Sequence, residues 1–170
     1  MTRHFVRKGD IVRITLSEPE RDLLRGLPEQ LRDAYASDDP ADAVAQRLFP
    51  HAYLDPTEEA REREWEALTR PELLREKLAA LDQVVGALDG VQPARRGRLV
   101  ADLSEDDVAA LLGVLNDARL ALGTTLEVTD DLDLAALAPS DPAFPAYAAY
   151  GWLTYLQGEL IETLLGGMPD

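Results

Sequence analysis

The chain has 170 residues, with 32 Asp and Glu against 17 Lys and Arg, a formal net charge of −15 at pH 7. That length suits one domain, and 46% hydrophobic residues can build a core, which argues against wholesale disorder. The absence of cysteine excludes disulfides, thiol redox chemistry, Cys-ligated zinc and a Cys nucleophile, and two histidines exclude a His-rich metal site.

Residues 5–16 read as a β-hairpin, with a turn at Lys8-Gly9-Asp10 and Val12, Ile14 and Leu16 sharing one face. A hairpin alone is marginal, so it must lie on helices or pair with another chain. Helical signals follow, as 29 Leu and 24 Ala favour. Ser17-Glu18-Pro19-Glu20 is a capping box opening a helix to about Ser37, with Leu23, Leu24, Leu27 and Leu31 inward and Pro28 as a kink. Asp39-Pro40 opens a second helix to Leu48, and Asp55-Pro56 opens a charged third over about 56–68. Thr69-Arg70-Pro71-Glu72 starts a fourth, carrying Leu74, Leu78, Leu81, Val85 and Leu88 to a stop at Gly90.

Residues 90–101 read as a loop, the one candidate linker. Ser104 caps a helix burying Val108, Leu111, Leu112, Leu115 and Leu122, with Gly123 as its left-handed C-cap. Thr124 to Val128 reads as a short strand or extended link, and Asp130 or Asp131 starts a helical turn through Leu137. The last helix, 146–165, is apolar on nearly every side, the pattern of a central helix, and stops at Gly166-Gly167. The expected fold is mainly α: a single domain over 1–170, with a hairpin at 5–16 and a bundle of about six helices over 17–165.

The charge is uneven. Residues 1–99 have a net charge of −3, whereas residues 100–170 hold 13 acidic side chains and one cation, Arg119. Such a surface repels nucleic-acid phosphates unless the basic spots at Arg3, Arg7, Lys8, Arg13 and at Arg95, Arg96, Arg98 converge. It keeps the chain soluble or offers an acidic dock to a basic partner. The N-terminus lacks a signal-peptide core, and the most apolar stretch, 143–156, is too short to span a bilayer, which predicts a cytoplasmic protein with no membrane contact.

Neither a Walker loop nor a dinucleotide-binding glycine turn is present. His4 sits on an expectedly mobile end, and His51 reads as a half-buried residue at a loop corner. The strongest enzymatic signal is Glu58-Glu59-Ala60-Arg61-Glu62, which resembles the Glu-Glu-x-x-Glu of all-α MazG-type nucleotide pyrophosphatases, with Glu127-Val128-Thr129-Asp130 as the Glu-x-x-Asp partner. Glu58, Glu59, Glu62 and Asp130 could then hold magnesium against a triphosphate, although the second pattern lies far from the first. A solvated helix face explains the same charges.

Three segments carry a resemblance: Arg47-Leu48-Phe49-Pro50-His51-Ala52-Tyr53, Leu115-Asn116-Asp117-Ala118-Arg119-Leu120-Ala121-Leu122-Gly123-Thr124, and Trp152-Leu153-Thr154-Tyr155-Leu156-Gln157. Together they resemble a family of small actinobacterial proteins, long filed as a domain of unknown function, commonly encoded beside the Clp adaptor ClpS and labelled AosR-like. The resemblance implies a regulator of oxidative-stress transcription that contacts a sigma factor, RNA polymerase or the Clp machinery. It brings no catalytic residues and no cofactor, and any thiol switch of such regulators is impossible here. Its signature residues are Arg47, Pro50, Tyr53, Asn116, Asp117, Arg119, Gly123, Trp152 and Gln157, as contacts or as a polar packing knot in which Arg119 bonds a carboxylate or helix-end carbonyls. Trp65, on the charged helix, reads as an exposed contact for a partner. A homodimer that consumes the hairpin is the remaining alternative.

Overall fold

The computed structural model describes residues 3–132 and 137–166. Two antiparallel strands, β1 (Phe5–Lys8) and β2 (Ile11–Leu16), form the expected hairpin, with Gly9 left-handed in its turn. The sheet then grows beyond it: β3 (Gln92–Pro93) and β4 (Leu99–Leu103) complete four strands in the order β1-β2-β4-β3. The expected linker is therefore largely a second hairpin. Leu16↔Leu99, Ile14↔Ala101 and Val12↔Leu103 stand opposite one another on the core face, while Arg13 forks onto Asp102 at 2.6 and 2.7 Å on the outer face. Pairing β2 on both sides covers the edge that a lone hairpin would leave open. Arg96 and Gly97, both left-handed, make a tight turn between β3 and β4, with Ala94 N–H bonding Arg98 O at 2.7 Å. Register places Arg7 and Lys8 at one end of the sheet and Arg95, Arg96 and Arg98 towards the other, so these two groups do not meet.

Among the described residues five α-helices follow the chain: α1 (Glu18–Tyr35), α2 (Ala43–Leu48), α3 (Glu59–Asp89), α4 (Glu105–Thr125) and α5 (Phe144–Leu165). The Ser17 capping box forms as read, but Leu23 points outward. Asp42, not Asp39, caps α2, while Asp39 closes the turn before it. The count falls below six because α3 runs unbroken through Pro71. The Thr69 hydroxyl donates back to the Trp65 carbonyl at 2.7 Å rather than capping forward, so Pro71 sits inside the helix instead of opening one.

The centre of the bundle is α4, which touches all four other helices and the sheet. Its Val108, Leu111, Val114, Leu115 and Ala118 are buried, each large side chain contributing about 1.5–3 kcal/mol. Helix α5 buries one stripe, Leu153, Leu156, Leu160 and Thr163, and leaves Ile161 and Leu165 exposed, so it flanks the core rather than filling its centre. Gly123 is helical, and α4 ends two residues later. Val128 N–H bonds Gly123 O at 2.9 Å and Glu127 N–H bonds Thr124 O at 3.2 Å, with Glu127 in the left-handed position glycine usually takes. Residues 124–128 form no strand. The helical turn expected through Leu137 falls partly on residues 133–136, which like Gly167 lie outside the described residues.

Arg96 holds a conformation that a branched side chain disfavours but asparagine tolerates. Arg96→Asn is expected to stabilise the fold by about 0.5–1 kcal/mol, a rise of about 1–4 °C in Tm by calorimetry.

Candidate functional site

Three carboxylates are buried among the described residues, and each gathers donors from a different part of the chain. Asp117, on the core side of α4, accepts from the Tyr35 hydroxyl of α1 and from Lys77 Nζ of α3, both at 2.6 Å. Burial and the neighbouring Asp117 charge push the Tyr35 hydroxyl well above its ordinary range, so it stays a donor. Lys77 Nζ also lies 5.6 Å from the ring centres of Tyr35 and Phe49. The Phe49 ring, edge-on to Tyr35, carries the Arg70 guanidinium 4.7 Å from its centre. One network thus ties the ends of α1 and α2 to α3 and α4.

Glu62 points inward from the first turns of α3 and accepts from Tyr53 N–H at 2.7 Å, His51 Nδ1 at 3.0 Å and Ala52 N–H at 3.2 Å. Burial alone raises its pKa, but these three bonds outweigh that and hold it below the ordinary value. It is a tether for the loop after Phe49. His51 itself is exposed, not half-buried. Glu58 bonds Arg61 at 2.9 Å, and Glu59 and Asp130 are exposed. Among the described residues no group of three or more His, Asp or Glu is placed to hold a metal ion.

His4 is the largest departure from expectation: it is buried against the fold, 6% exposed. Its Nδ1 lies 3.0 Å from Glu159 Oε2 and its Nε2 3.2 Å from Glu20 Oε1. Glu159 also accepts the backbone N–H groups of His4 at 2.6 Å and Phe5 at 3.1 Å, fastening β1 to α5. Trp152 and Tyr155 stand edge-on to the imidazole, with ring centres 6.2 and 5.9 Å away. Burial raises the pKa of Glu159, yet the bonds from Phe5 and His4 bring it below the ordinary value. The same balance, through Ser17 and His4, lowers Glu20.

The signature residues therefore separate. Asp117 sits in the network around Phe49, Trp152 flanks His4, and Tyr53 is held by Glu62, while Pro50 is exposed and Asn116 half-buried. Arg119 Nε bonds Thr154 Oγ1 at 3.0 Å and its Nη1 bonds Gln157 Oε1, so its partners are neutral α5 side chains and not the expected carboxylate or carbonyls. Arg47, Arg119 and Gly123 line one groove. Trp65 is half-buried rather than exposed. Sequence reading missed Tyr35, Lys77, Glu159 and the tethering use of Glu62. Glu159 did carry a signal, as one of only two carboxylates, with Glu162, in the apolar last helix.

A mainly helical protein with a small four-stranded sheet, whose buried polar groups bond one another across the chain, is what fold and site define. The chain belongs to the family described as "Domain of unknown function (DUF2017)", which it matches over residues 2–164. It is 34% identical over 138 residues to the "Oxidative stress regulator AosR" of Mycobacterium tuberculosis (strain ATCC 25618 / H37Rv), covering 75% of this chain and 60% of that protein. The same identity and coverage relate it to the protein of that name in Mycobacterium bovis (strain ATCC BAA-935 / AF2122/97). The chain thus spans about 60% of the length of the curated relatives it matches. No solved structure matches it.

Two expectations follow. Asp117→Ala strands Lys77 and Tyr35 and should cost about 2–4 kcal/mol in urea unfolding, with Asp117→Asn milder. Because folding lowers the pKa of Glu20 and Glu159, their stabilisation is full above the ordinary value of 4.5 and declines as pH falls through the lowered values. Glu159→Gln should lower stability at pH 7 by about 1–3 kcal/mol and flatten the acid limb of urea midpoints measured against pH.

Proposed function

We propose that this chain is a non-enzymatic regulator that works through protein contacts and without a cysteine switch. Its partner is a sigma factor or RNA polymerase subunit of oxidative-stress transcription, or a component of the Clp machinery. The observation that carries this reading is the 34% identity to proteins named oxidative stress regulator. The absence of thiols means that a response to oxidation does not pass through a cysteine of this chain.

The geometry supports contacts on the outer side of α3. Trp65 and Leu68 share a helix face, Leu68 is 74% exposed, and Leu54, in the loop that Glu62 holds against the same helix, is 86% exposed. Strand β1 is a poorer docking edge, being four residues long and carrying Arg7 and Lys8. The magnesium-dependent pyrophosphatase alternative gains little, since Glu62 is taken up by three bonds within the chain.

The test is a pull-down from the native lysate with the full chain as bait, at low and high salt, identified by mass spectrometry. A stoichiometric sigma factor, polymerase subunit or Clp component, lost at high salt, is expected. Leu68→Glu should then weaken the purified complex at least tenfold. No partner at either salt, or magnesium-dependent hydrolysis of nucleoside triphosphates, overturns the reading.

A further inference from the structure

Arg47 lies in the last turn of α2 and Arg119 midway along α4, and both line a groove of about 360 Å³ with Gly123, Thr124, Glu127 and Tyr150. Among the described residues neither arginine forms an ion pair, whereas Arg13, Arg25, Arg32 and Arg70 each meet a carboxylate. Arg119 is half-buried and fixed by Thr154 and Gln157, which use two of its five N–H donors without neutralising its charge. Two arginines and one carboxylate, Glu127, are the charged residues of this lining, which is therefore net positive, and partial burial strips Arg119 of some hydration. An anion at the arginines offsets both.

The shape of the groove narrows the anion. Two planar forks suit the three oxygens of a phosphoryl dianion better than the two of a single carboxylate. The volume lies at the small end of ligand sites, which suits a sugar phosphate or a nucleoside monophosphate rather than a polymer. Gly123 lets Tyr150 form a close wall, since a Cβ there would meet Tyr150 Cε2 at 3.1 Å. Glu127, held left-handed where glycine is usual, adds the one carboxylate of the lining, an acceptor for hydroxyls but not for phosphate.

We propose that this groove binds a small organic phosphate, its phosphoryl group held between Arg47 and Arg119 and its hydroxyls turned to Glu127. The site is independent of the protein contacts proposed above and stands or falls separately from them.

The test is a ¹H–¹⁵N NMR titration of the full chain with inorganic phosphate and with ribose 5-phosphate, at constant ionic strength with chloride as control. Shifts should concentrate at Arg47 and residues 119–127, with ribose 5-phosphate saturating at lower concentration than phosphate. Arg47 is exposed, so Arg47→Gln should leave the fold intact and weaken binding at least tenfold, while Arg63→Gln on α3 should change nothing. Arg119→Lys, which keeps the charge and loses the fork, should also weaken it. Unchanged binding in Arg47→Gln, shifts centred on Arg95–Arg98, no shifts at all, or malonate saturating as tightly as ribose 5-phosphate would each overturn the assignment.

Discussion

Everything in this fold is arranged around the cost of burying carboxylates in a chain that is already strongly acidic. A buried carboxylate without donors is worse than none, because it loses its hydration and gains nothing in return. Asp117, Glu62 and Glu159 escape that penalty by accepting two or three hydrogen bonds each. The donors come from elements remote in sequence for Asp117 and Glu159, so satisfying the charge also fixes how α1, α3, α4, α5 and β1 meet. Apolar packing supplies most of the stabilisation, but leucines alone leave the angles and registers of five helices loosely specified.

The same logic explains the small sheet. Glu159 takes the N–H groups of His4 and Phe5, which no strand on that side receives, and places the imidazole between two carboxylates. Strand β4 then covers the open side of β2 and adds Leu103 to the core beneath. The hairpin is thus integral to the molecule, bonded through side chains on one flank and through backbone on the other.

Much of this was legible in the sequence, and the failures have identifiable causes. The helix caps at Ser17 and Ser104 and the burial of Val108, Leu111 and Leu115 followed from local chemistry, while Leu112 and Leu122 are only partly buried. Pro71 misled because proline fits the first turn of a helix as well as a tolerated interior kink, and only the direction of the Thr69 hydroxyl decides between them. Residues 92–103 misled because arginine in the turn masks a hairpin that asparagine or glycine would announce. Part of the site was harder to see. His4 and Glu159 are 155 residues apart, and Asp117 and Lys77 are 40 apart, so no spacing rule connects them.

The uneven charge of the chain acquires a structural meaning from these pairs. Residues 100–170 contain one cation, Arg119, and its described side-chain bonds run to Thr154 and Gln157 rather than to a carboxylate. The three carboxylates of that half that meet a basic side chain among the described residues, Asp102, Asp117 and Glu159, do so at Arg13, Lys77 and His4, all from the first 99 residues. The acidic half therefore cannot neutralise its own interior. Removing the donors while the fold stays closed would leave Asp117 and Glu159 buried and unpaired, so these pairs tie the two halves together. The composition change near residue 100 marks an electrostatic seam within the molecule, across which the first 99 residues, which hold 16 of the 17 Lys and Arg, supply donors that the acidic half needs.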